Sequence, residues 1–586
     1  MSTENKPDID KIHQEIKIAL DSKVSITNNK PSSHIKDRSQ IINYLAIALV
    51  SVIMLRVIYL NTLGSSFLEK QLNTRILRTI KLTAMRGTIV DRNNQPLAVS
   101  TPVVAIWADP SELNNLTQTQ VKQLTNLLEI SPNELSQKLS DKNKTFVYLA
   151  RSLPPKQAKQ VLALGIEGIY SLAEYKRYYP SGEVTAHIVG FNNIDDHGAD
   201  GIEYADDREL QGSDGYKQII RDLRGHIVDN VGPMQAANNG QKITLAVDNR
   251  IQYIAYNALK NQVQQSKAKG GSAVVLDAQT GEVLAMVNMP TYNPNNRSGI
   301  VPDMLKNRAA TNVYDPGSIM KPLVIAKALD LKMVTPQTVF DTHPWTVGNK
   351  LIKDDHNYPQ MTVAEIIQHS SDIGTSKIAM KFKAQDLWTY YRQIGFGQKL
   401  GTGFPGETSG ILLNWKRWYP VDQALMSYGY GISVSLFQMA HAYTIFTNNG
   451  CLLPVTFKKI FPDSTIHCSQ IIKPETAKVM RKILASTVDD GTGKSAQLVN
   501  YTSAGKTGTA QILDGARYSS NKHIGSFVGF APAINPKIIV AVMIDQASDG
   551  KYYGAQTAAP VFAKITEPTL HLLGVTPDKT TTIIGN

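Results

Sequence analysis

Between Ile41 and Leu60 nearly every position is apolar: Ile-Ile-Asn-Tyr-Leu-Ala-Ile-Ala-Leu-Val-Ser-Val-Ile-Met-Leu to residue 55, then past Arg56 to Leu60. About twenty such residues in a helix cross the hydrocarbon of a bilayer. One transmembrane helix is therefore expected over 41–60, with a polar tail of residues 1–40 ahead of it and the rest of the 586 residues beyond. Arg56 lies near the end of the span, where a long side chain can reach the interface. A cleaved signal peptide is disfavoured by the long polar tail and by the lack of a small-x-small cleavage site. Orientation by positive charge is weakly decided, because Lys23, Lys30, Lys36 and Arg38 precede the span and Lys70, Arg75 and Arg78 follow it.

In the body, Tyr314-Asp-Pro-Gly-Ser-Ile-Met-Lys-Pro322 sets a serine hydroxyl and a lysine amine three residues apart. Pro316 and Gly317 break what precedes them, and Leu323-Val-Ile-Ala-Lys-Ala-Leu329 reads as a buried helical run. Pro322 lacks an N–H, a loss without cost only in a first turn, so a helix is expected to start near Ser318. Residues i and i+3 share a face, which lets Lys321 reach the Ser318 hydroxyl as its base while backbone N–H groups meet a developing oxyanion. Alone, the pattern is weak: Ser-x-x-Lys occurs by chance in most chains of this length, and a capping serine and a solvated lysine fit it far better. Two further segments change the odds: Ser370-Ser-Asp372, and Lys506-Thr-Gly-Thr509 towards the C-terminus.

In this order the three elements resemble the S-x-x-K, S-D-N and K-T-G set of the penicillin-recognising serine acyltransferases. Arg86-Gly-Thr-Ile-Val-Asp-Arg92, Tyr179-Pro-Ser-Gly182, Tyr292-Asn-Pro-Asn-Asn296 and Ser427-Tyr-Gly-Tyr-Gly431 extend the likeness. From about residue 55 to 565 the chain resembles the class B penicillin-binding proteins. Leu97-Ala-Val-Ser-Thr-Pro102 and Trp107-Ala-Asp-Pro110 incline it to the division-type branch over the elongation-type one.

The resemblance implies a peptidoglycan D,D-transpeptidase with a serine acyl-enzyme and no cofactor. Ser318 would attack a D-alanyl-D-alanine stem peptide with Lys321 as base, and Ser370 would relay a proton to the leaving nitrogen. Alternate residues of a strand share a face, so Thr507 and Thr509 would both meet the substrate carboxylate, Gly508 would let the backbone approach, and Lys506 would add positive charge. The N–H groups of Ser318 and Thr509 would form the oxyanion hole. Asp372 stands where asparagine is commoner, although elongation-type relatives often show Asp; its charge near Lys321 would favour the ammonium over the free amine.

The implied partners are stem peptides, β-lactams that acylate the same serine, and glycan-polymerising and other divisome membrane proteins. The implied organisation is a cytoplasmic tail over 1–40, a signal-anchor helix over 41–60, a pedestal over 62–240, a transpeptidase domain over 241–575 and a tail over 576–586, with the body in the periplasm. A carboxypeptidase, a β-lactamase or a β-lactam sensor would share the three elements, but a large pedestal is unusual in the first two and the intact Ser318, Lys321 and Lys506 weigh against the third.

The residue pattern carries the same architecture independently. Ala273–Leu276 and Glu282–Val287 are β-rich around a turn; Lys506–Leu513 and the run from Tyr518 join across Asp514-Gly515; Ile538–Ile544 is another strand. Residues between about 300 and 490 are largely helical in period, so strands at both ends enclose helices: an α+β layout with one antiparallel sheet flanked by helices. Asn238-Asn239-Gly240 is a plausible domain boundary.

Other chemistries are poorly supported. The net charge of +12 is scattered among acids, which argues against nucleic acid. Asp490-Gly-Thr-Gly-Lys-Ser495 resembles the end of a phosphate-binding loop but has Val488 where that loop requires glycine. The twelve histidines show no ligand spacing, so no metal is expected, and His369 beside Ser370 points away from it on a helix. The two cysteines, Cys451 and Cys468, flank a hairpin-like segment; a disulfide and two buried thiols both remain open.

Overall fold

Ser33–Thr62 forms one helix whose apolar stretch, Gln40–Asn61, has a mean hydropathy of 2.3 and no buried side chain, long and apolar enough to cross a membrane. The computed structural model describes residues 33–62, 77–221, 227–515 and 517–579. Most of the expected N-terminal tail, part of the C-terminal one, and Lys23, Lys30, Lys70 and Arg75 lie outside them. The chain divides into two units, residues 1–80 with 217–233, and residues 81–216 with 234–586. The first holds the apolar helix and most of a three-stranded sheet ordered 77–82, 215–221, 227–235.

In the second unit, the long strand Pro96–Ala108 pairs antiparallel with Val147–Leu153 and with Ile169–Tyr178. Its inner face packs on three short helices, Gln118–Leu128, Pro132–Leu139 and Pro155–Leu162, through Ile106, Leu124, Leu149 and Val161. The Arg86–Arg92 segment is structural. Arg86 and Arg177 each donate to the buried Glu203 at 2.6 Å, and Asp91 accepts from the N–H groups of Asn93, Gln95 and Asn249. Gly87 is needed because a Cβ there would lie 1.9 Å from the Gln241 carbonyl oxygen.

The larger part of the unit is built on five antiparallel strands: β1 (Gly270–Asp277), β2 (Val283–Met289), β3 (Ala504–Asp514), β4 (Arg517–Ala531) and β5 (Ile538–Asp545), in spatial order β2-β1-β5-β4-β3. The runs Ala273–Leu276, Val283–Val287 and Ile538–Ile544 are continuously apolar because both sheet faces are covered there. Ala273, Val275, Val540 and Val542 face helices α1 (Asn249–Gln265) and α7 (Ala559–Leu572), whereas Val274, Leu276, Ile539 and Ala541 face the helical middle of the chain. That middle supplies α2 (Lys321–Asp330), α3 (Val363–Gln368), α4 (Asp372–Ala379), α5 (Pro420–Ser427) and α6 (Pro474–Asp489). The α+β layout read from the sequence is the one observed. Strand β3 is an edge strand, and its free edge faces the turn before α2.

Cys451 and Cys468 are disulfide-bonded, Cα atoms 5.7 Å apart, beside a two-residue ladder of 451–452 with 469–470. The loop they close carries Phe457, Lys458 and Lys459, which bond back to residues 244–246.

Two histidines are buried in this unit. His187 bonds the Met304 carbonyl at 2.8 Å, and His441 Nδ1 has no partner among the described residues. Burial pushes both down to about 4; the Arg308 charge adds to this at His187. The unfolded chain binds protons below about pH 6.5 and the folded one does not until about pH 4, so stability is complete above that window and falls across it by up to about 3 kcal/mol per histidine. The midpoint of thermal unfolding is expected to drop between pH 6.5 and 4, and His441→Gln to flatten part of the slope; a flat profile would contradict this.

Candidate active site

Ser318 lies in a 3₁₀ turn, Gly317–Met320, and the α-helix begins only at Lys321. This corrects the expected helix start. Pro322 still falls in the first turn of α2, but Gly317 at φ +60° forces a tighter entry. Two close backbone approaches fix that turn. Gly317 N donates to Gly429 O at 3.0 Å, and a Cβ on Gly429 would lie 2.3 Å from Gly317 N.

The Lys321 side chain is fully buried. Its amine lies 2.5 Å from the Ser370 carbonyl oxygen, 3.1 Å from the Ser370 hydroxyl and 2.5 Å from Asp372 Oδ1. None of these partners is Ser318, so the expected Lys321–Ser318 hydrogen bond is absent and the amine instead joins the first motif to the second. A carboxylate and a carbonyl are stronger acceptors for the amine N–H groups than a hydroxyl, which accounts for the choice.

Ser370 is held at φ +64°, a left-handed conformation that a non-glycine residue adopts at a cost of roughly 1–2 kcal/mol. That conformation turns both its carbonyl and its hydroxyl onto Lys321. Ser371 caps α4 through Gly374 N, and Asp372 is the first residue of that helix. Burial pushes the Asp372 carboxyl up, against the opposing charge of Lys321, although 32 % of its side chain is open to the cleft. The expected proximity of Asp372 and Lys321 is therefore real, but burial works against the full negative charge that the sequence reading assigned to Asp372.

On β3, Lys506 is fully buried and donates to Thr492 Oγ1 (3.3 Å), Thr507 O (3.2 Å) and Thr507 Oγ1 (3.3 Å). Among the described residues no carboxylate pairs with it, and burial, helped by the charge of Lys321, holds its amine well below the ordinary lysine range. Thr507 donates to Thr492 Oγ1 at 3.1 Å, while Thr509 Oγ1 accepts from Gly554 N at 3.1 Å. Gly508 is where the strand meets the turn that carries Ser318: a Cβ there would lie 2.4 Å from Ser526 Oγ and 3.0 Å from Pro316 O.

Backbone direction bears on the oxyanion hole expected from the N–H groups of Ser318 and Thr509. Gln511 N–H points off the sheet edge towards Tyr430 Oη, a long contact of 3.5 Å, so by the two-residue period the Thr509 N–H points the same way. The Thr509 carbonyl faces Gly317, 3.1 Å from where its Cβ would be. The Ser318 N–H belongs to a first turn and has no intrahelical acceptor.

Two residues that sequence reading passed over complete the site. Asp354 accepts from Ser371 Oγ (2.5 Å), Asp372 N (2.6 Å) and Ile373 N (3.0 Å), anchoring the second motif from a loop that has no recognisable spacing. Thr492, in the Asp490–Ser495 segment that lacks the glycine of a phosphate-binding loop, bonds Gln368 O through its N–H (3.2 Å) and holds Lys506 and Thr507 with its hydroxyl. His369 stacks on Tyr358 with ring centroids 4.9 Å apart and does not enter the cluster. Among the described residues no group of His, Cys, Asp and Glu could hold a metal ion.

Residues 271–567 match the penicillin binding protein transpeptidase domain, and residues 81–245 match the penicillin-binding protein dimerisation domain. The chain is 42 % identical over 542 residues to a protein of Neisseria meningitidis named a probable peptidoglycan D,D-transpeptidase, PenA, covering 91 % of this chain and 93 % of that one. It is 37 % identical over 536 residues to the peptidoglycan D,D-transpeptidase FtsI of Escherichia coli K12, covering 90 % of each. Among solved structures, the transpeptidase domain of Burkholderia pseudomallei penicillin-binding protein 3 superposes with a TM-score of 0.54 at 43 % identity, covering 57 % of this chain and 98 % of that one. A peptidoglycan synthetase from Bifidobacterium adolescentis shares the fold, with a TM-score of 0.68 over 86 % of this chain and 98 % of that one. The chain belongs to the penicillin-binding protein transpeptidases that carry a dimerisation domain ahead of the catalytic one, the family of PenA and FtsI.

Proposed function

We propose that this peptidoglycan D,D-transpeptidase crosslinks stem peptides through an acyl-enzyme on Ser318, at the division septum. One observation carries the reading: the Ser318 turn lies against the free edge of β3, beside the buried amine of Lys321, bonded to Ser370 and Asp372, and the buried amine of Lys506, bonded to Thr507 and Thr492. The donor's terminal carboxylate would lie along Thr507 and Thr509. Its arrival would restore a proton to Lys506, whose amine burial otherwise disfavours in the charged form.

The Ser318 oxygen bonds the penultimate D-alanine carbonyl, and its proton passes to Lys321, whose amine shifts from Ser370 to the nucleophile once substrate is bound; such catalytic bonds often tighten only in the complex. The tetrahedral oxyanion sits between the N–H groups of Ser318 and Thr509. The C–N bond to the terminal D-alanine then breaks, and Ser370, 3.1 Å from the Lys321 amine, passes the proton to the departing nitrogen. An acceptor amine from a second stem peptide resolves the ester, forming the crosslink and returning the proton to Ser318.

In this reading the pedestal spans 62–240, the transpeptidase domain spans 241–575, and the apolar helix anchors the chain in the cytoplasmic membrane with the body in the periplasm. Divisome membrane proteins, including a glycan polymerase, are its partners. Uncrosslinked strands bearing pentapeptides are expected to release D-alanine and gain crosslinks with the full chain, and to lose both by about 10³-fold or more with Ser318→Ala. Equal release by the variant would overturn the assignment.

A further inference from the structure

Helix α5 has two differently used ends. Beyond its C-terminus, Gly429 O receives the Gly317 N–H and the Tyr430 hydroxyl meets Gln511 N on β3. Its N-terminus opens on an exposed segment that the mechanism does not use, Leu413-Asn-Trp-Lys-Arg-Trp-Tyr419. Leu413 is 43 % exposed and Tyr419 73 %. Lys416 and Arg417 are exposed, and among the described residues neither has a carboxylate within ion-pair distance. Lys416 lies over the Trp415 ring, 5.9 Å from its centroid.

The segment is pre-formed. Trp418 Nε1 donates to Leu413 O at 3.0 Å, its indole packs 6.4 Å from Tyr391, and Asn414 caps the 3₁₀ turn through Lys416 N. The segment is also continuous with the catalytic wall. Ile411 pairs with Ser433, and the Ser433 hydroxyl donates at 3.1 Å to Asp315, three residues ahead of Ser318. Alongside, Gly348 at the turn of the hairpin 345–352 lies against Val421, which adds Lys350, another cation without an ion-pair partner among the described residues.

We propose that this surface is a second binding site for the substrate polymer, a glycan strand with its stem peptides. Stem carboxylates meet Lys416 and Arg417, and sugar faces lie on Trp415 and Tyr419, while one stem peptide occupies the cleft. This rests on the transpeptidase reading above. Charge favours it, because stem peptides end in carboxylates and the patch presents cations that have no carboxylate within ion-pair distance among the described residues. The aromatic rings add broad apolar area at little conformational cost. Geometry favours it too: the eight-residue α5, about 12 Å long, separates the patch from the residues around Ser318, a separation that a polymer spans and a small donor does not.

The test compares two substrates on the full chain in detergent. With the double variant Lys416→Glu, Arg417→Glu, and separately with Tyr419→Ala, penicillin acylation is expected to stay within about twofold, because that ligand touches only the cleft. The apparent KM for uncrosslinked pentapeptide-bearing strands is expected to rise about tenfold with kcat little changed, and the wild-type KM to rise with salt more steeply than that of the double variant. An unchanged KM on strands overturns the inference, as does an equal loss of penicillin acylation, which would mean that the segment acts by shaping the cleft. Loss of binding to anionic vesicles or single-stranded DNA with no effect on strands assigns the surface to another polyanion and also overturns it. Failure of the wild type to be acylated at all would instead contradict the transpeptidase reading.

Discussion

Lys321→Met is expected to slow penicillin acylation of Ser318 by about 10³-fold, the middle of the range for losing a positioned general base, with the thermal midpoint nearly kept. Methionine fills the volume of a side chain that is fully buried, so packing survives while the amine that joins Ser370 and Asp372 is lost. Asp372→Asn provides the contrast. Asparagine retains an acceptor for Lys321 at the same position and removes only the charge, which burial already disfavours. Its acylation rate is expected to stay within about a hundredfold of wild type, roughly 2.7 kcal/mol of barrier. Rates from a fluorescent penicillin would check both. Similar losses in the two variants would give the carboxylate a chemical part of its own.

Gly508→Val is expected to lower acylation by about 10²-fold or more. The backbone at Gly508 rides on the nucleophile turn, and an added Cβ would meet Pro316 O at 3.0 Å and Ser526 Oγ at 2.4 Å. Ser526 can rotate away, but the carbonyl cannot, so β3 or the Ser318 turn must shift. A displacement of about 1 Å between reacting groups costs on the order of a hundredfold. The same rate measurement, with circular dichroism to show that the sheet persists, decides it; wild-type acylation would mean that the approach of strand and turn is not what aligns Ser318 with its oxyanion donors.

Local spacing made much of this legible. The serine and lysine of the first motif, the strand bearing Lys506-Thr507-Gly508-Thr509, the hairpins and the apolar helix are each encoded within a few residues, where period and turn chemistry apply. What was not legible depends on contacts between segments far apart in sequence. Asp354 holds Asp372 from 18 residues away, and Thr492 ties Gln368 to Lys506. No local pattern marks the first, and the Gly-Thr-Gly turn around the second does not show which residues its hydroxyl holds. The expected Lys321–Ser318 bond failed for a related reason: i,i+3 spacing permits the contact, but the fold places a carboxylate and a carbonyl nearer the amine. Likewise the positive charge expected of Lys506 follows from residue type alone, whereas its full burial, which disfavours that charge, comes only from the fold.

The most direct test of the central claim is the mass of the intact chain after incubation with a penicillin, followed by digestion to locate any adduct. The account predicts one covalent adduct on the peptide containing Ser318, persisting for many minutes and absent from Ser318→Ala. No adduct, an adduct on another residue, or one that turns over rapidly as in a β-lactamase would contradict it.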